Sequence, residues 1–296
     1  MLNKKKFFLI GGNGFVGRHF QEIYAKDFLI KVFDKNDNVL NYKNLKDSLL
    51  NYFPDYVINL ASYSTINSAK TFENDLFDLC IHGNINIIQA LTEINFQGSY
   101  LYVSSAEVYG YSNDNSFRED NLLNPLNEYA VAKVMAEVLL KFKSYNSFFK
   151  IQVARPFNHF GKNQSTNFFL LKLLHNIANQ INNQKKKIVL QVGNKTAKRS
   201  FLHVDDVCAA YVEILKNKNI EQFSIFNVCH KDSYSIPDLI EPLLKEKNIV
   251  FEYSKENNFF SDNTLMGNNL KLTELGWKPK KNIINSLRLI LDDLLC

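Results

Sequence analysis

Phe7-Phe8-Leu9-Ile10-Gly11-Gly12-Asn13-Gly14-Phe15-Val16-Gly17 decides the fold of this chain. A short apolar run ending in glycine reads as a buried parallel strand. A helical apolar pattern follows from Phe15 to Asp27, and four of the eleven glycines lie between Gly11 and Gly17. Glycine permits the tight turn, lets backbone approach a pyrophosphate and lets helix pack on strand. The helix N-terminus offers unbonded N–H groups and partial positive charge to phosphate. The spacing counted from Gly11 is G-x-x-G-x-x-G, and the loop alone could equally be a glycine turn without a ligand. Asp34 decides between these. It closes a second apolar run, Phe28–Phe33, roughly twenty residues on, where a carboxylate can take both ribose hydroxyls of NAD and repel the 2′-phosphate of NADP. Lys35 softens that preference, so NAD(H) is favoured and NADP(H) stays open.

Outward from the loop, Tyr56–Leu60, Tyr100–Val103 and Ile151–Ala154 read as further strands. Asp75 to Ile94 and Ala130 to Phe142 read as the helices between them. Repeated βα units imply an α/β fold, a doubly wound parallel sheet with helices on both faces. After Pro156 the pattern changes. Phe168–Ile181, Val204–Leu215 and Ile236–Glu246 are helical, Ile188–Val192 is a strand, and Ile225–Val228 can return to the main sheet. The expected division is residues 1–156 as a dinucleotide-binding domain, with 200–230 returning to it. Residues 157–199 and 231–296 then make a smaller, mixed α/β substrate-binding lobe. The polar stretch Asn257–Asn269 reads as a loop over a site.

Composition excludes several classes. At 296 residues, 46% hydrophobic and 22% charged, the chain can bury a full core and is not disordered. No apolar run approaches the ~20 residues of a membrane span, and Phe7–Ile10 is too short for a signal segment. Cys80, Cys208, Cys229 and Cys296 lack the spacing of a zinc site or disulfide framework. A reduced, cytoplasmic protein is expected. The net charge of +5 comes from 30 lysines and five arginines against 30 acids. The lysines are spread out, so neither a nucleic-acid nor a membrane partner is expected. None of the six histidines stands three or four residues from another His or a Cys, and no metal site is expected. His19 is expected on the first helix's surface, and His203 near the cleft in a structural role.

The candidate chemistry lies in two segments. Tyr-x-x-x-Lys occurs at Tyr42/Lys46 and Tyr129/Lys133, and 14 tyrosines with 30 lysines in 296 residues predict between one and two such pairs by chance. Context separates them: Tyr42 falls in a polar segment, whereas Tyr129 opens a strong helix on which an i, i+4 pair shares one face. There a lysine cation can lower the phenol's pKa and let it exchange a proton with a carbonyl. Upstream, Val103-Ser104-Ser105-Ala106-Glu107-Val108-Tyr109-Gly110 leaves the carboxyl end of a strand, where open α/β sheets place their chemistry.

In order and spacing, the glycine loop, the Ser-Ser-Ala-x-Val-Tyr-Gly segment and the Tyr129–Lys133 pair resemble the extended short-chain dehydrogenase/reductases that act on nucleotide sugars. Arg155-Pro156-Phe157-Asn158-His159-Phe160-Gly161 is similar to the family's strand-end segment facing nicotinamide and substrate. Val192-Gly193-Asn194 with Arg199 to Val207 is similar to its nucleotide-diphosphate segment, and Leu275-Gly276-Trp277-Lys278-Pro279 to its closing motif. The resemblance implies a Rossmann-type sheet and a catalytic triad of Ser105, Tyr129 and Lys133. It implies cofactor contacts from Gly11, Asn13, Gly14, Phe15, Val16, Gly17, Asp34, Lys35, Leu60, Ala61, Ser62, Tyr129, Lys133 and Pro156. Substrate contacts would come from Ser64, Ser105, Ala106, Glu107, Asn158, Val192 and Arg199, and helices 75–94 and 130–142 would build a homodimer.

Two departures stand out. Cys80 takes the place of an asparagine in many relatives, and the loop near Phe259-Phe260-Ser261-Asp262 lacks their second diphosphate arginine, leaving Lys255 as one substitute. Glu107 sits where sugar-dehydrating relatives carry an acid, yet Ala106 removes its partner acid; structure or substrate positioning is its expected role. The segment Arg155 to Gln164, with Phe168–Ile181 and Gly193-Asn194, most resembles the GDP-linked 4-keto-6-deoxymannose reductases. The expectation is therefore an NAD(P)H-dependent reductase of a nucleotide-activated 4-keto-6-deoxy sugar, GDP-linked, in the synthesis of cell-surface glycan precursors. The alternatives are an epimerase or 4,6-dehydratase with retained NAD, and a non-catalytic dinucleotide-sensing protein.

Overall fold

The computed structural model describes residues 4–34, 36–63, 71–111, 116–255 and 264–296. Among them, six parallel strands form the main sheet: β1 (Lys6–Ile10), β2 (Leu29–Phe33), β3 (Tyr56–Asn59), β4 (Ser99–Val103), β6 (Lys150–Pro156) and β10 (Phe223–Val228), in the order β10-β6-β4-β3-β1-β2. Two-residue β5 (Ser116–Phe117) lies outside it, as do β7 (Asn158–Phe160), β8 (Ile188–Val192), β9 (Phe201–His203), β11 (Phe251–Lys255) and β12 (Met266–Gly267).

The apolar run of β1 is continuous because both its faces are covered. Phe8 and Ile10 enter one core, with Val57, Tyr100, Tyr102, Ile151 and Val153. Phe7 and Leu9 enter the other, with Ile58, Leu101 and Ala154. On the first face pack α2 (Tyr42–Tyr52), α3 (Glu73–Cys80), α4 (His82–Glu93) and α5 (Glu128–Ser144). On the second pack α1 (Phe15–Tyr24) and, much later in the chain, α7 (Val204–Lys216). A third core joins α6 (Phe169–Asn182), α8 (Ile236–Glu246) and α10 (Ile283–Leu295) over the paired β8 and β11. Five-residue α9 (Leu270–Glu274) lies against β10. Among the described residues no helix is long and apolar enough to cross a membrane.

Two expectations change. The helix read from 75 to 94 breaks at Ile81, because the Asn84 side chain donates to the Cys80 carbonyl at 2.6 Å and intrudes on the ladder. The polar segment holding Tyr42 and Lys46 is itself helical: Asn41 caps it, and Leu45 and Leu49 bury one face. Lys46 is spent on Glu93, at 2.5 Å.

Candidate active site

The chain runs from β1 to β2 on one side and then to β3 on the other, so the crevice opens at the carboxyl ends of β1 and β3. Gly11 has φ +76°, and a Cβ there would stand 2.8 Å from the Ala61 nitrogen. A Cβ on Gly17 would stand 2.3 Å from the Gly12 carbonyl oxygen. Only glycine fits these two approaches. α1 starts at Gly14 with no capping side chain and no acid in its first turn, so its N–H groups point bare into the crevice. Asp34 lies beside them, accepting the Asn13 N–H at 2.6 Å. A cradle that excludes Cβ atoms, an uncapped helix start and a carboxylate tied to the loop together fit a dinucleotide's diphosphate and ribose.

The catalytic candidates meet across the same crevice. Ser105 follows β4 and caps a 3-10 turn, Ala106–Tyr109, its Oγ accepting the Glu107 N–H at 3.2 Å. Asn127 caps α5 by accepting the Ala130 N–H at 2.9 Å, which places Tyr129 and Lys133 one above the other. Burial pushes the Tyr129 phenol up, and its hydrogen bond with Ser105 acts against that. Lys133 is 2% exposed; its Nζ donates to the Val103 carbonyl at 2.8 Å and lies 5.6 Å from the Tyr129 ring centre. Burial pulls its pKa down. Glu107 is raised by burial, against the opposing charge of Arg199 and a hydrogen bond with Asn127.

Below these residues lies a polar network that the sequence reading missed. Arg155 turns inward rather than toward the cleft, its Nη2 meeting Glu137 Oε2 at 2.6 Å and its Nε meeting Oε1 at 3.1 Å. Ser104 donates to the same carboxylate at 2.5 Å, Arg155 Nη1 donates to Tyr109 Oη at 2.7 Å, and Tyr109 donates to Asn227 at 2.7 Å. β4, α5, β6 and β10 are thereby locked together one residue from Ser105. A Glu at i+4 from Lys133 was the available signal, since it falls on the same helical face.

The crevice encloses about 1390 Å³, above the ~300–1,000 Å³ usual for one small ligand. Gly11, Gly14, Phe15, Val16, Gly17, Asp34, Leu60, Ala61, Ser62, Ser105, Ala106, Glu107, Tyr129, Lys133, Pro156 and Asn158 all line it. Asn13 reaches it only through Asp34. Val192, 1% exposed at the end of β8, and Arg199, 6% exposed, do not line it. Lys35, Ser64, residues 256–263 and the side chain of Lys255 lie outside the described residues. The far wall holds Asn163, Ser165, Asn167, Phe168 and Lys172, unmarked in the sequence reading, although a polar run between a strand and a helix is a usual place for ligand contacts.

Of the two histidines weighed in the sequence, His19 departs from expectation and His203 takes a structural role. His19 is mostly covered, because Nδ1 meets Asp205 Oδ1 at 3.2 Å and Nε2 meets the Lys162 carbonyl at 2.9 Å. Asp205 raises its pKa. His203 caps α7 through Nδ1.

Residues 7–229 match the NAD dependent epimerase/dehydratase family. GDP-6-deoxy-D-mannose reductase of Pseudomonas aeruginosa is 32% identical over 302 residues, covering 98% of this chain and 97% of that protein. GDP-6-deoxy-D-talose 4-dehydrogenase of Aggregatibacter actinomycetemcomitans is 26% identical over 262 residues, covering 86% and 84%. The structure of RMD from Pseudomonas aeruginosa complexed with NADPH superposes with a TM-score of 0.87 at 30% identity, over 99% of this chain and 98% of the other.

Proposed function

Because the chain belongs to the NAD dependent epimerase/dehydratase family, we propose that it reduces the 4-keto group of a GDP-linked 4-keto-6-deoxy sugar with NAD(P)H. The observation that carries this reading is the meeting of Ser105, Tyr129 and Lys133 in one crevice with the glycine loop. The bound dinucleotide supplies the hydride. Tyr129 gives its phenolic proton to the alkoxide forming at carbon 4, Ser105 hydrogen-bonds that oxygen, and Lys133 holds positive charge under the phenol. Ala106 leaves Glu107 without the second acid that dehydration uses. Gly11 to Gly17 and Asp34 would hold diphosphate and adenosine ribose, and residues 1–156 with 200–230 form the cofactor domain on this reading. Residues 157–199 and 231–296 take the nucleotide sugar on this reading, with Arg199 acting through its charge on Glu107 at the crevice wall.

The assay is NADH and NADPH absorbance with a panel of GDP-, CDP-, UDP- and dTDP-4-keto-6-deoxy sugars. Stoichiometric loss with a GDP sugar supports the reading; product without net cofactor consumption replaces it with epimerase or dehydratase chemistry. The reading places the protein in the cytoplasm, supplying an activated 6-deoxy sugar for glycan synthesis. We further propose a homodimer through α5, whose Met135, Val138 and Phe142 are 45%, 63% and 62% exposed at helical spacing. Sedimentation at the mass of a single chain would overturn it.

A further inference from the structure

Lys133 poses a problem that the catalytic reading leaves open. Its side chain is buried, yet among the described residues no carboxylate pairs with it. Glu137, one turn along α5, is held by Arg155 at 2.6 Å. A buried ammonium with one carbonyl partner would ordinarily lose its proton, and a neutral amine cannot acidify a phenol.

The missing partner is a ring. Lys133 Nζ lies 4.8 Å from the ring centre of Tyr102 on β4, nearer than the 5.6 Å to Tyr129. Tyr102 is 1% exposed, and its hydroxyl meets Cys80 Sγ at 3.6 Å, so packing and the thiol fix the ring's tilt. An aromatic face attracts a cation most strongly where water is excluded. The groups facing this pair are few. Tyr129 and Glu137 share α5 with Lys133, Tyr100 shares β4 with Tyr102, Cys80 comes from α3, and Glu107 and Tyr211 act on Tyr129 from the 3-10 turn and α7.

We propose that Tyr102 is a positioning residue whose ring face keeps Lys133 cationic beneath Tyr129. This deepens the reading of Tyr129 and Lys133 above, and it needs neither substrate nor cofactor to be tested.

The test is ¹³Cε-lysine NMR titration of the free protein, with Lys133→Met as the blank that identifies the resonance. Tyr102→Phe keeps the face and is expected to leave the Lys133 midpoint in place. Mono-, di- and trifluorophenylalanine at position 102 keep the volume while draining the face. They are expected to lower the midpoint stepwise, by about one pH unit in total. Tyr102→Leu should shift it as far, but the fluorinated series carries the test because it does not open the core. A midpoint flat across the series overturns the proposal, as does a shift already complete in Tyr102→Phe. Failure of the reductase assay would leave these titrations readable, so the two readings fail separately.

Discussion

Arg155→Met removes the guanidinium that Glu137 faces across three contacts of 2.6 to 3.2 Å. Glu137 is 4% exposed and, among the described residues, keeps the Ser104 hydroxyl as its hydrogen-bond donor, and Tyr109 loses its 2.7 Å donor. Breaking one side of a buried, satisfied pair costs about 3–5 kcal/mol. At an m-value of ~3 kcal/mol/M in urea, the unfolding midpoint should fall by about 1–1.7 M. Glu137→Leu should cost as much, but Glu137→Leu/Arg155→Met should recover at least half of either loss, because no unpaired charge remains. Single losses under ~1 kcal/mol, or a double variant equal to the sum of the singles, would refute the coupling.

Tyr129→Phe should cut turnover ~10²–10⁴-fold while leaving cofactor affinity, measured by fluorescence titration, nearly unchanged. Asp34→Ala should weaken NADH far more than NADPH, since the lost carboxylate would bond ribose hydroxyls and repel a 2′-phosphate; an equal loss would place the ribose elsewhere. His19 carries a raised pKa through Asp205, so it contributes stability that is complete below its unfolded value of ~6.5 and is lost as pH rises through the folded one. His19→Gln should therefore lower the melting temperature at pH 5.5 more than at pH 8.5.

The sheet was legible because covering both faces of a strand leaves a continuous apolar run, as in Phe7–Ile10, and because the glycine loop obeys purely local sterics. Ser105, Tyr129 and Lys133 line one crevice, but they were named together through the family resemblance, since the Tyr-x-x-x-Lys spacing alone fitted Tyr42 and Lys46 as well. What escaped depends on partners distant in sequence. Asn84 breaks a helix by reaching the Cys80 carbonyl, an interaction no periodicity records. Arg155 looks like any strand-end arginine until the register of β6 between β4 and β10 turns it onto Glu137. The helix at Tyr42 carries only Leu45 and Leu49 as fully buried residues, too thin a stripe to mark it without the sheet it covers.

The position of β10 has a consequence for synthesis. β6 carries Arg155 and runs beside β4, but its other flank is closed only by Phe223–Val228, after the third core's first helix and strand have been made. A ribosome-bound chain ending near residue 200 holds five of the main sheet's six strands and an unprotected strand edge, Ile151 to Pro156, open to any passing strand. The nascent protein is most vulnerable to mispairing during that interval. β6 gains its second neighbour only when β10 has emerged, so slow translation between β6 and β10 would be expected to aggregate the chain more than a pause after Val228.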